Sequence, residues 1–130
     1  MNEPKFYTPM NCRAMALKGV LKNDYSQFVH LIIKISDKDF ALIAGISART
    51  LSRLKPNQNL PPQAADVTIS LMRAHRKATE IFGSEENSVK WLKTPNAALG
   101  GITPVQAMSS RFGAEEVMDI LGRIEYGVYS

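Results

Sequence analysis

Between Pro61-Pro62 and Gly83, the residues Ala64, Val67, Leu71, Ala74, Ala78, Ile81 and Phe82 recur with the period of a helix. Proline can open a helix and glycine can close one, so the spacing predicts about 20 helical residues, roughly 30 Å of rod. In a chain of 130 residues that is 45% hydrophobic, such a rod joins two halves. The chain then buries either one small core or two smaller ones sharing this helix. Arg73, Arg76 and Lys77 lie toward its C-terminal part, where cations complement the helix dipole.

The rest of the chain is punctuated at helical lengths and nowhere alternates as a strand does, which predicts an all-α fold. Pro4 and Pro9 make residues 1–10 an extended arm. A helix is expected over 13–22, with Ala14, Leu17 and Leu21 at helical spacing. A second is expected over about 24–34, capped by Asp24 and carrying Phe28, Leu31 and Ile32 as its apolar stripe.

Residues 37–54 read as a helix-turn-helix. Two short helices packed closely need a small residue where they approach, a turn residue tolerating positive φ, and apolar residues pinning the second helix to the first. Ala41, Gly45, Ile46, Leu51 and Leu54 stand at those places, and Ser47 is a natural N-cap. The outer face of the second helix then carries Ala48, Arg49, Thr50, Ser52 and Arg53. Arg49 and Arg53 share one face and suit guanine edges or phosphates, while Thr50 and Ser52 suit base edges or backbone. The same spacing also fits a helical hairpin that merely packs on itself, its arginines being solvated surface charges.

Past the polar loop at 56–62, Ser84 is a good N-cap for a short helix bearing Val89, Trp91 and Leu92 and stopping before Pro95. Trp91, the lone tryptophan, is spaced as a core anchor. Pro95-Asn96 and Gly100-Gly101 fold the backbone around Ala97-Ala98-Leu99, an expected small apolar plug. Thr103-Pro104-Val105-Gln106 is a capping box with proline at the first helical position. Gly113-Ala114-Glu115-Glu116 should open the last helix, whose apolar face is Val117, Ile120, Leu121 and Ile124 and whose end lies near Gly127.

Charge is uneven: residues 1–55 hold nine Lys or Arg against four Asp or Glu, and residues 81–130 hold four against six. With a pI of about 9.3, a basic front half suits a polyanion and an acidic back half suits a different partner. Cys12 is the single cysteine, and His30 and His75 are far apart in helical patterns, which argues against a disulfide or a structural metal. No nucleophile triad, phosphate loop or cofactor motif is present, so an enzyme is disfavoured and no cofactor or catalytic residue is assigned. No export signal or membrane-length apolar run is visible, and the cytoplasm is the default location.

Taken together, Phe82-Gly83, Trp91-Leu92, Pro95-Asn96, Leu99-Gly100-Gly101, Thr103-Pro104 and Arg123-Ile124-Glu125-Tyr126-Gly127 resemble the pattern of the Xre/MbcA/ParS toxin-binding domain. The piece Gly45-Ile46-Ser47 through Arg49-Thr50-Leu51 is similar to the helix-turn-helix of the same antitoxins. The resemblance covers about Phe28 to Ser130; joined to the arm at 1–10 and the connecting helix at 61–83 read above, it divides the chain into an Xre-like DNA-binding domain at 11–60 and a toxin-binding domain at 84–130. It implies the antitoxin of a type II toxin-antitoxin pair, whose usual partner is a RES-domain toxin that consumes NAD; related pairs use an ADP-ribosylating toxin. The toxin would meet Arg123, Glu125, Tyr126, Gly127, Val128, Tyr129 and Ser130, the chain's end obstructing its active-site cleft. The operator would meet Ser47, Arg49, Thr50, Ser52, Arg53 and Lys55, so that the chain represses its own operon. Such proteins read paired half-sites, so a homodimer is expected, with residues 11–35 as candidates for its interface. The competing reading is a stand-alone helix-turn-helix repressor using the C-terminal unit for dimerisation or effector binding.

Overall fold

The computed structural model describes residues 9–127. They form helices joined by turns, and among them the nearest approach to a strand is one isolated antiparallel bridge between Leu21 and Asn59. Two compact units follow each other along the chain, the first ending at Arg73 and the second starting at Ala74.

In the first unit, α1 spans Pro9–Lys18, so it begins inside the expected 1–10 arm, the remainder of which lies outside the described residues. It contains the first part of the expected 13–22 helix but ends at Lys18, short of the expected Lys22. The chain turns at Gly19, φ 97°, where an added Cβ would lie 3.0 Å from the Asn59 side chain, and Val20 and Leu21 run extended beside that loop. Leu17 and Leu21 therefore stay exposed, and Cys12 and Val20 are buried instead.

Helix α2 starts at Lys22, not Asp24, and widens into a π-helix over Ser26–Ile33. Bonding five residues back instead of four moves the buried face: Tyr25, Phe28, Val29 and Ile33 are buried, whereas Leu31, expected in the stripe, is 69% exposed. Ser36 then caps α3, Asp37–Ala44, by accepting the Asp39 N–H. Gly45 (φ 71°) closes that helix in the left-handed conformation, and α4, Ala48–Arg53, packs against it. Phe40, Ala41, Ala44 and Leu51 are buried, consistent with the small-residue approach read from the sequence.

Helix α5 spans Pro62–Phe82, close to the expected rod, and the boundary between the units falls within it. Its last turn holds no basic residue, which overturns the dipole role expected for Arg73, Arg76 and Lys77. Arg76 instead faces Glu80 at 3.7 Å, and Lys77 pairs with Glu125.

In the second unit, Ser84 caps α6, Glu85–Leu92, and a 3₁₀ turn covers Ala97–Leu99. Leu92 is fully buried, but Trp91 is half-buried against Phe82, ring centroids 5.7 Å apart, so Trp91 flanks the core and does not anchor it. No residue of the 3₁₀ turn is buried, so it is no plug. The connector closes through Asn96: its N–H donates to the Ile102 carbonyl at 2.9 Å, its carbonyl accepts the Gly101 N–H, and its side chain accepts the Ala98 N–H. Both bonds of the Thr103–Gln106 capping box are formed at the start of α7, Pro104–Ala107. Helix α8 spans Arg111–Glu125, opened by Ser110 two residues earlier than expected, so Glu115 and Glu116 fall outside its first turn. It packs on α7 through Gly113, where an added Cβ would stand 2.1 Å from the Ala107 carbonyl oxygen.

Candidate functional site

The exposed side of α4 brings together every residue read from the sequence as DNA-facing. Ser47 Oγ accepts the Arg49 N–H at 3.1 Å and the Thr50 N–H at 3.3 Å, satisfying two orphan donors of the helix start. Arg49, Thr50, Ser52 and Arg53 are exposed, as are Ser47 and Lys55 at the flanks. Ser52 Oγ donates to the Arg49 carbonyl, and the Lys55 N–H donates to Gln58 Oε1 at 2.8 Å, so the chain beyond α4 is held as well.

Two buried groups fix this helix from beneath. Leu51 is fully buried, and its carbonyl, in the last turn of α4, accepts the Lys22 ammonium at 2.7 Å. That carbonyl also accepts the Leu54 N–H at 3.4 Å, and a cation on a C-terminal carbonyl offsets the negative helix end. The Lys22 and Asn23 N–H groups also donate to the Gln58 and Pro56 carbonyls, so the start of α2 holds both α4 and the loop after it. Lys22 was not legible as a site residue, because its partner lies 29 positions away. Helix α3 is tied in through Asp37, whose Oδ1 accepts the Tyr25 hydroxyl at 2.7 Å and lies 2.7 Å from His30 Nε2. Burial, reinforced by Asp37, pushes the Tyr25 phenol pKa upward, so it stays a neutral donor.

In the second unit the predicted contact residues gather at the end of α8. Arg123, Glu125, Tyr126 and Gly127 are exposed, and Tyr126 is 78% so. Val128, Tyr129 and Ser130 lie outside the described residues. Glu125 accepts a hydrogen bond from the Lys77 ammonium, which raises the lysine pKa and fastens the end of α8 to α5. Residues missed from the sequence lie at the other end: Phe112 is 73% exposed on α8 and Ile102 is exposed on the connector. The available signal was that Phe112 falls outside the helical register of Val117 and Leu121.

His75 is the one fully buried histidine among the described residues. Its Nδ1 lies 2.8 Å from Ser88 Oγ, and that hydroxyl donates to the His75 carbonyl at 3.2 Å. Burial pushes its pKa down, opposed by Glu85 with a carboxylate oxygen 3.6 Å from Nε2. This is a core polar pair linking α5 to α6. Among the described residues no three His, Cys, Asp or Glu side chains gather as a metal site, and no helix is long and apolar enough to cross a membrane.

The described residues are thus helical, with a polar, Ser-capped helix in one unit and an exposed helix end in the other. Residues 77–127 match the antitoxin Xre/MbcA/ParS C-terminal toxin-binding domain. The chain is 28% identical over 109 residues to the antitoxin Xre of Yersinia enterocolitica, spanning 82% of this chain and 74% of that one. It is 31% identical to the antitoxin Xre of Photorhabdus laumondii, over 71% of this chain and 64% of that one. It is 29% identical to the antitoxin Xre of Pseudomonas putida, over 63% and 52% of the respective chains. The domain match and these relatives together support an Xre-type antitoxin.

Proposed function

We propose that this chain is the antitoxin of a type II pair, neutralising a RES-domain, NAD-consuming toxin in the cytoplasm and repressing its own operon. The observation that carries the reading is the match of residues 77–127 to a toxin-binding domain, together with relatives named antitoxin Xre. Arg123, Glu125, Tyr126 and Gly127, continued by Val128, Tyr129 and Ser130, approach the toxin and obstruct its cleft. The exposed polar face of α4 supports operator binding through Ser47, Arg49, Thr50, Ser52, Arg53 and Lys55. A homodimer pairing through residues 11–35 presents two such helices to paired half-sites, and the exposed Leu17 and Leu31 in that stretch support it. The reactive chemistry belongs to the toxin.

Co-expression with the toxin encoded beside this gene is the test. The full chain should restore growth, and deletion of Val128–Ser130 should weaken rescue while operator binding is retained. Growth arrest that persists with the full chain would refute the antitoxin reading, and full rescue by the truncated chain would remove the tail from it.

A further inference from the structure

Along α8 the exposed residues Phe112, Glu115, Asp119, Arg123 and Tyr126 fall at i, i+3, i+7, i+11 and i+14, which places them on one face of the helix. The opposite face, Gly113, Val117 and Leu121, is buried. The outward stripe thus carries an aromatic ring at each end, 73% and 78% exposed, about 21 Å apart by helical rise. Two carboxylates and one guanidinium lie between the rings. Exposed aromatic side chains are costly to solvate and are the residues most enriched at the energetic centres of protein interfaces. Nothing in the packing of α8 accounts for Phe112: the helix buries its core through the other face, and Ser110 supplies its cap.

We propose that this whole outward stripe is the docking face for the toxin, with Phe112 and Tyr126 as its two anchors and Glu115 and Asp119 steering a basic strip of the partner between them. The proposal rests on the toxin-binding reading above, and the occupant follows from the match of residues 77–127, which contains the stripe end to end. Arg123 and Tyr126, proposed above to meet the toxin, share the exposed face with Phe112, so that contact would continue up the helix. The matching surface on the toxin has two apolar recesses set about four helical turns apart. Charge between the anchors contributes chiefly to association rate and partner choice, and the rings contribute chiefly to residence time.

The experiment measures binding of the full chain to the purified toxin from the neighbouring reading frame, with thermal unfolding, operator binding and sedimentation recorded for each variant. Phe112→Ala should weaken toxin binding about tenfold or more, mainly through faster dissociation, with unfolding temperature and operator binding unchanged. The double change Glu115→Lys and Asp119→Lys should slow association, and the effect should shrink at high salt. Unchanged toxin binding by both variants, beside normal binding by the parent chain, overturns the docking face and leaves the antitoxin reading intact. A parent chain that fails to bind the toxin overturns that reading itself. If Phe112→Ala alters self-association and leaves toxin affinity unchanged, the face belongs to a second copy of the chain and the proposal falls.

Discussion

Replacing Gly113 by alanine would set a methyl carbon 2.1 Å from the Ala107 carbonyl oxygen, 3.0 Å from the carbonyl carbon and 3.2 Å from Ser110 Oγ. The first two atoms are backbone, so no rotamer change relieves the overlap; α7 and α8 must separate. Overpacking of this kind costs about 1–3 kcal/mol, and an obstruction by backbone belongs at the upper end. Alanine returns about 1 kcal/mol in helix propensity, leaving a net loss of about 2 kcal/mol. For a unit of this size that lowers the unfolding midpoint by about 10 °C. Trp91 is the lone tryptophan and lies in the second unit, so its emission follows the affected transition directly. Gly122→Ala is the matched control, because Gly122 is in the same helix and nothing lies within 4 Å of its added Cβ. It should raise stability by about 0.5–1 kcal/mol. A Gly113→Ala protein as stable as its parent, or a Gly122→Ala protein destabilised like it, would refute the close-approach argument.

Three further outcomes are expected. Lys22→Met removes the buried ammonium bonded to the Leu51 carbonyl, leaving that acceptor only the longer bond from the Leu54 N–H, and should cost about 1 kcal/mol in urea unfolding; operator affinity should fall with an unaltered salt slope, since the ammonium is buried on that carbonyl. Arg49→Ala and Arg53→Ala should each weaken operator binding by about 1–3 kcal/mol if bidentate to a base, measured by titration against the operator fragment, and unchanged binding by both would move the reading surface elsewhere. Because the folded-state pKa of His75 lies below its ordinary 6.5, the unfolded chain takes up a proton first as pH falls. The contribution of neutral His75 is therefore whole above about pH 6.5 and lost progressively below it. His75→Gln should flatten that acid slope in Trp91-monitored unfolding, and an unchanged slope would exonerate His75.

Helix α5 was legible because seven apolar positions repeat between strong punctuation marks, and the capping box at Thr103 was legible because its bonds span three residues. Local signals of that kind survive folding unaltered. The face of α2 was misread because a π-helical turn changes the period, and periodicity arguments assume the period. Trp91 was misread because size and register do not tell a core from its margin; Leu92 beside it is the buried one. At the candidate site, the outer face of α4 came from its own hexapeptide and cap, and the end of α8 came from a resemblance carried by Arg123 through Gly127.

The residue order by itself dictates that the described chain is helical, where most helices begin and stop, and which short helix presents arginines, since propensity, capping and punctuation act within a few residues of chain. What holds those helices in place was settled only in three dimensions. Lys22 reaches the Leu51 carbonyl across 29 positions, Lys77 reaches Glu125 across 48, and Gly113 earns its place by the approach of Ala107. Such contacts depend on where distant segments meet after the apolar faces are buried, and hydrophobic burial has no direction that a local pattern records. The exposure of Phe112 and Tyr126 on one face of α8 is the residue of that same process: it is what packing left uncovered.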